Sequence, residues 1–433
     1  MRFSISWRRD LLLCVNIRRK RRGRVLRNCF VDNFRGDENA SVIAVEAECE
    51  QEEVQVAIVG GGLAGLAVLL ALRTRGIQAH LFEKCPNLRS DTATAIGIGP
   101  IGVTALEGIK PGLSKIMSEL GTYTTLLKVD TTRVQQALAK LVCEDYIHCS
   151  HELLFYKHLE DGHVHAYFEV KDVSGSNHLR HFKSVLTQLL IGADGIWSAV
   201  RKQMINDEPR YLHMVDWNTV VYDPHQEILE GVGRGEIYLH VDLNRSMNFV
   251  LSYAGDYALW ILRRSKVRAL QQIQGFEGWD ALKKAIEATD EKAIFERKIM
   301  NRLPLDKWSD ADGSVLLIGD AAHAMYVGPG QGARTAFEDA HQLALLLEEV
   351  NLGSCFTKEN IRTAVSKFEE LRIPRMRKMQ EYATHSTQQA RFEPEWVQKL
   401  SPEEAQKRGL EFMQWVEAYP KNQQGDPDST FFK

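Results

Sequence analysis

A chain of 433 residues, 44% hydrophobic and 26% charged, has ordinary globular composition and room for two domains or one large composite one. Nothing reaches the ~18 consecutive apolar residues of a membrane span, and Leu11 to Leu13 is too short even for a secretory core, so no integral membrane segment is expected. The net charge of −3 is unevenly spread, and a nucleic-acid role would rest on a basic leader alone, with no recognition motif behind it.

That leader is the first element. Between Arg2 and Arg35 the only acids are Asp10 and Asp32, whereas Asp37 to Glu53 is acidic without Lys or Arg. Residues 1–53 therefore read as an appendage ahead of the core. Three readings stay open: an organelle transit peptide for plastid or mitochondrion, a disordered basic tail on a cytoplasmic protein, or a nuclear signal at Arg18-Arg19-Lys20-Arg21-Arg22. The seven cysteines are scattered and lack CxxC pairs, so reduced thiols are expected, with no disulfide framework and no metal site.

Val54 to Val59 predicts a strand, Gly60-Gly61-Gly62 a tight turn, Leu63 to Arg75 a helix with Leu66, Leu69, Leu70 and Leu72 on its apolar face, and Ile77 to Phe82 a second strand. In such a βαβ start Gly60 permits the turn, Gly62 lets backbone approach a pyrophosphate, and Gly65 lets helix and strand pack closely. Glu83 ends the second strand where ribose hydroxyls would be accepted. Gly97, Gly99 and Gly102 repeat the spacing, but Asp91 to Ile96 is a poor strand and Pro100 sits in the turn, which argues against a second dinucleotide domain.

Further on, Leu189 to Ile191 runs into Gly192-Ala193-Asp194-Gly195, where Asp194 either binds ribose or caps the following helix. Glu236 to Val241, Met247 to Tyr253 and Tyr257 to Leu262 predict an antiparallel meander. Its aromatics Tyr238, Phe249, Tyr253 and Trp260 are read mainly as core, with a pocket lining as the alternative. Ser314 to Ile318 is a buried strand delivering Gly319-Asp320 at its carboxyl edge, and Gly328, Gly330 and Gly332 lead into a helix over Ala333 to Glu349. The free N–H groups at that helix start would stabilise negative charge, as a reduced flavin requires. His323 is read as a structural hydrogen-bonding residue rather than a base. Phe392 to Lys433, with Trp396, Phe412, Trp415 and Tyr419, is read as a helix packed on the body or, alternatively, as a partner contact.

These segments, in this order, resemble the class A flavoprotein monooxygenases, the aromatic hydroxylases and carotenoid (zeaxanthin) epoxidases, over Val54 to Ser386, including LRIPRMRKMQ at Leu371 to Gln380. The resemblance implies an α/β fold: a Rossmann-like FAD-binding domain combined with an antiparallel substrate-binding sheet and C-terminal helices. It implies FAD as cofactor, with Gly60, Gly62, Leu63, Ala64, Gly65, Glu83 and Lys84 at the ADP half, Asp320 at the ribityl chain, and Gly330, Gln331 and Gly332 at the isoalloxazine edge. Asp194 and Gly195 match the family's Asp-Gly motif. The implied activity uses NADPH or NADH and O2, and a flavin C4a-hydroperoxide, to hydroxylate or epoxidise a small hydrophobic aromatic or isoprenoid substrate. The cofactor would carry the chemistry, so no catalytic side chain is assigned. The expected division is a leader at 1–53, FAD-binding parts at 54–207 and 301–390, a substrate sheet at 208–300 and a tail at 391–433.

Three departures stand out. Tyr326-Val327-Gly328-Pro329 replaces a Pro-Pro-Asn-Leu run beside the flavin, Thr131 falls where an arginine usually contacts FAD with Arg133 two residues away, and Gly121 to Leu127 is much shorter than the family's insert, which puts part of the substrate wall in doubt. A same-fold reductase or dehydrogenase, or an FAD-binding pseudoenzyme, is the alternative function. A flavin halogenase would need a WxWxIP signature, which is absent.

Overall fold

The structure, a computed structural model, describes residues 50–88, 95–123, 127–171, 181–229, 231–233, 236–242, 247–265, 279–353, 356–388 and 402–417. The leader before residue 50, and with it the targeting expectations, lies outside the described residues, as do Trp396 and Tyr419 of the tail.

Strand β1 (Glu50–Val59), helix α1 (Leu63–Thr74) and β2 (Ala79–Phe82) form the expected βαβ unit, with β1 beginning four residues earlier than its apolar run. Val54, Val56, Ala57 and Ile58 are buried because helices and sheet neighbours cover both faces, as a parallel strand requires. Strand β3 (Ala95–Ile98), helices α2 (Pro100–Ile109) and α3 (Leu113–Glu119), strands β4 (Thr122–Tyr123) and β5 (Leu127–Asp130), and helix α4 (Thr131–Lys140) follow. The second glycine cluster is thus a strand, a turn and a helix after all, with Pro100 at the first helical position, where its missing N–H costs nothing. It still makes no dinucleotide unit, because β3 pairs antiparallel with β5 in a separate three-stranded sheet.

Then come β6 (Ile147–His148), β7 (His151–His158), β8 (Val164–Val170), β9 (His181–Gly192) and α5 (Ala199–Ile205). The second sheet contains β10 (Arg210–Tyr222), β11 (Ile237–Asp242), β12 (Met247–Ala254), β13 (Tyr257–Ser265), and, after helix α6 (Trp279–Glu287), β14 (Phe295–Asn301). The chain returns through β15 (Val315–Leu317) and a single turn α7 (Asp320–His323). Long helices α8 (Gly332–Leu352) and α9 (Lys358–Gln388) follow, then α10 (Pro402–Glu417).

The main sheet runs β6-β2-β1-β9-β8-β7, with β15 joining β9 where β8 has left it. Strands β6, β2, β1, β9 and β15 are parallel, so their carboxyl ends share one edge. The other large sheet, β11-β12-β13-β10-β14, is antiparallel throughout and contains the expected meander. Phe249, Tyr253 and Trp260 are buried in its own core, as the packing reading expects, while Tyr238 is 38% exposed.

Helix α8 buries Phe337, Ala340, Leu343, Ala344 and Leu347, the three- and four-residue spacing of an apolar helix stripe. Truncating one of its leucines to Ala would cost about 2–5 kcal/mol. The tail packs on the body through α10, whose Phe412, Trp415 and Val416 are buried and whose Phe412 stacks on Tyr382 at 3.5 Å.

On α8 the His341 ring lies against Gly108 of α2, so closely that a Cβ there would fall 2.1 Å from a ring nitrogen. Burial, with the charge of Arg75, holds the His341 pKa down at about 4. The unfolded chain takes up this proton near pH 6.5, whereas the folded chain resists it until about pH 4, so stability falls as pH drops through that window. Urea unfolding of the wild type is expected to lose ~2 kcal/mol more between neutral pH and pH ~4.5 than the His341→Gln variant does. Equal losses in both proteins would refute this origin.

Candidate cofactor site

Four segments meet at the carboxyl edge of the parallel strands. Gly60 N donates to Phe82 O at 2.8 Å and Ala193 N to Val59 O at 2.8 Å, which draws the ends of β1, β2 and β9 together. Gly60 has φ +107°, and a Cβ there would sit 2.6 Å from Ala193 O. A Cβ on Gly65 would lie 1.9 Å from Gly60 O, so α1 starts tight against the strand only because this residue has no side chain. Gly62 differs: a Cβ there meets nothing within 4 Å, which leaves open space above the turn. Glu83 Oε2 accepts from Gly61 N at 2.6 Å, and Oε1 accepts from Cys85 N at 2.9 Å. Lys84 is exposed beside it.

Gly319, with φ +57°, brings the two distant glycine segments into contact, because a Cβ there would be 2.8 Å from Ala64 Cβ on α1. Asp320 follows with its carboxylate open to the cleft and protein on its remaining sides, and this partial desolvation raises its pKa. The Cβ position of Gly332, at the start of α8, is 4.0 Å from Asp320 Oδ1, so the acid and the helix start face one space. Gly330 turns the chain at φ +67°, and Gln331 Nε2 donates to Pro329 O at 2.7 Å. Asp194 Oδ2 caps α5, accepting from Ala199 N at 2.7 Å and Val200 N at 3.3 Å. Its Oδ1 is buried without a partner, and burial raises its pKa.

Sequence reasoning passed over several residues that build this edge. Gln135 of α4 is buried and donates from Nε2 to Gly61 O at 2.6 Å, leaving Oε1 without a partner. Its place four residues beyond Thr131, on the same helix face, was the available signal. Arg133, two residues from the position of the absent arginine, has partners of its own. Its guanidinium donates to Leu120 O at 2.7 Å and lies over the Tyr257 ring, at the junction with the second sheet. The hairpin turn at Gly255 approaches Leu120 and Gly121, so the meander meets the start of the shortened segment. Arg201, fully buried, donates from Nη1 to Ala321 O and Ala322 O at 3.1 and 2.8 Å, tying the Asp194 segment to the Asp320 segment.

His323 makes a buried hydrogen bond of the kind expected of it. Its Nε2 lies 2.6 Å from Asp339 Oδ2, a partner 16 residues away on α8. Asp339 also accepts from Gly319 N at 3.0 Å and Arg372 Nε at 2.8 Å. Burial pushes Asp339 up, but His323 and Arg372 more than offset it and hold the carboxyl below its usual range. Tyr326 is buried, and its hydroxyl accepts from Arg263 Nη1 at 3.2 Å, while Arg263 Nε pairs with Asp216 at 2.7 Å. The unusual loop is therefore anchored to strands β10 and β13 of the second sheet.

The residues fit a dinucleotide of FAD type: an open space at Gly62, two acceptors without partners at Asp194 and Gln135, and an acid in the cleft opposite a helix start. The family described as FAD binding domain matches residues 119–358, and the chain belongs to it, within the class A FAD-dependent monooxygenases. The aurachin C monooxygenase/isomerase of Stigmatella aurantiaca is 26% identical over 358 residues, covering 74% of this chain and 85% of that protein. The chloroplastic zeaxanthin epoxidase of Oryza sativa subsp. japonica is 30% identical over 74% of this chain, which spans 53% of that longer protein. Among solved structures, Klebsiella pneumoniae HpxO complexed with FAD and uric acid superposes with a TM-score of 0.64 at 20% identity, over 80% of this chain and 91% of that one. At that identity the likeness concerns the fold alone.

The glycines separate folding from cofactor binding. Gly62→Ala should leave the thermal stability of the FAD-free chain unchanged while lowering FAD affinity at least about tenfold, because its methyl group fills only the space above the turn. Gly65→Ala should destabilise the FAD-free chain itself by several kcal/mol through its clash with Gly60 O. Calorimetric melting with flavin titration measures both, and equal effects on the FAD-free fold would contradict this assignment.

Proposed function

We propose that the chain is an FAD-dependent monooxygenase that takes two electrons from NADPH or NADH and inserts one oxygen atom of O2 into a hydrophobic aromatic or isoprenoid substrate. The second oxygen atom leaves as water. The observation that carries this reading is the meeting of Glu83, Asp194, Asp320 and the start of α8 on one sheet edge, beside a second sheet whose Arg263 reaches the Tyr326 loop. FAD bound there would supply the electron transfer and the oxygen chemistry.

The protein's own groups would divide the binding. Gly60, Gly62, Leu63, Ala64, Gly65, Glu83 and Lys84 hold the ADP half, Asp194 and Gln135 offer acceptors near the turn, and Asp320 accepts from the sugar-alcohol chain. Gly330, Gln331 and Gly332 place the α8 N-terminus where its unpaired N–H groups stabilise negative charge on the reduced ring. The second sheet and the Tyr326 loop exclude water and orient the substrate, with Arg263 fixing the loop. We assign FAD-binding parts to 54–207 and 301–390 around a substrate sheet at 208–300, a division supported by the separation of the strands into two large sheets.

The test is oxygen uptake and NAD(P)H oxidation by the FAD-loaded full chain, screened against small phenols and carotenoids. A substrate that stimulates both, with one oxygen atom from 18O2 recovered in product, is the expected result. Oxidation without oxygen incorporation would favour the same-fold reductase, and retained FAD with no stimulated oxidation would favour the pseudoenzyme.

We further propose delivery to a plastid or mitochondrion, on the arginine-rich leader and the chloroplastic names of the epoxidase relatives. Among the described residues no helix is long and apolar enough to cross a membrane. Residues 1–53 fused to a fluorescent reporter should send it to one of these organelles, and nuclear or diffuse signal would overturn the assignment.

A further inference from the structure

Away from the cofactor cleft, at the outer edge of the main sheet, three side chains from three strands converge: Glu52 on β1, His80 on β2 and His148 on β6. Glu52 Oε1 lies 2.7 Å from His80 Nδ1 and 3.9 Å from His148 Nε2, and the two ring nitrogens are 3.0 Å apart. A triangle of those sides encloses one point about 2 Å from all three atoms, the length of a zinc–nitrogen or zinc–oxygen bond. We propose that Glu52, His80 and His148 form a binding site for one divalent transition-metal ion of the zinc type, with water completing its coordination.

Two imidazoles and one carboxylate are a recurrent zinc donor set, and each donor here rides on a strand whose register is set by parallel pairing. The rings are ready to bind. Burial lowers the pKa of both histidines, that of His148 to about 4 with help from the charge of Lys183, so neither nitrogen carries an extra proton at neutral pH that a metal must displace. Phe82 stacks on His148 with centroids 4.8 Å apart and fixes its plane.

Lys183 pairs with the other oxygen of Glu52, Oε2, leaving Oε1 directed at the imidazoles. The charges of Lys183 and Arg73 oppose a dication, so micromolar rather than nanomolar affinity is expected. The backbone of His148 accepts from Glu83 N at 2.8 Å, so an ion here would tie β1, β2 and β6 together directly behind the ribose-binding acid.

The competing explanation is a hydrogen-bonded cluster in which Lys183 simply balances Glu52. The two differ in sign at Lys183: removing its charge tightens a metal site but loosens an ion-pair cluster. The experiment titrates zinc sulfate into the FAD-loaded full chain, stripped of metal by a chelator, with calorimetry at neutral pH. The expected result is one zinc per chain, weakened about tenfold or more in His80→Asn and His148→Asn with flavin absorbance unchanged, and tightened severalfold in Lys183→Met. Should an asparagine variant fold poorly, a zinc-dependent rise in wild-type Tm that is lost in His148→Gln reads the same site. No stoichiometric binding, unchanged affinity in both histidine variants, or weakening by Lys183→Met overturns the proposal. So does loss of binding in His158→Asn, which would place the ion at His158, Asp310 and Asp312, or a thiolate charge-transfer band in the cobalt-loaded chain, which would place it on cysteine.

Discussion

The cofactor edge depends on one buried carboxylate. Asp339 takes three donors from three directions: the backbone of Gly319 at the end of β15, the ring of His323 one turn later, and the guanidinium of Arg372 on α9. Next to it Glu338 binds Arg372 and Arg375, both fully buried. Burial would push Glu338 up, but the two guanidinium groups hold it well below the usual carboxylate range. Removing one member of such a group leaves an uncompensated charge in the interior, at a cost of about 3–5 kcal/mol. That cost explains why Gly319-Asp320, the turn α7 and the start of α8 keep one geometry although they are connected by an irregular, glycine-rich loop.

The same logic extends outward. Arg201 clamps Ala321 and Ala322 to the Asp194 segment, and with Arg302 it shares Asp207, so the third strand end is locked to the fourth. Gln135 draws α4 onto the glycine turn. On the far side of α8, Arg334 pairs with Glu417 of α10, whose other oxygen accepts from Ile101 N at 3.1 Å. A cleft that must receive an extended cofactor cannot be packed with its own side chains. It is held open by charges and hydrogen bonds in the layer beneath it.

Much of this is legible in the sequence. The βαβ start, Glu83, the Asp194 turn and the Asp320 segment announce themselves because each depends on local backbone chemistry: a glycine where φ is positive, an apolar run of strand length, an acid at a strand end. Tyr253 and Trp260 were readable as core from alternation alone. By contrast β10 and β14 were not identified. Polar Asp216 and Asn218 interrupt the alternation of β10, and Asp216 is buried there only because Arg263 on β13 pairs with it. The strand at Ala95 was discounted on its weak apolar run and on Pro100, and the partner that stabilises it, β5, lies beyond two helices.

The sequence by itself determined the local elements, the family and the candidates for nucleotide binding, since these follow from residues within one turn or one strand of each other. Tertiary structure alone decided which distant residues share a space. It placed Gly319 against Ala64 and Asp320 opposite Gly332, paired His323 with Asp339, set Arg133 at the junction with the second sheet, and drew Glu52, His80 and His148 together. The physical reason is range. Backbone preference and hydrophobic period act over a few residues, whereas a buried charge or a strand register selects partners across the whole chain, and only the folded sheet brings them within bonding distance.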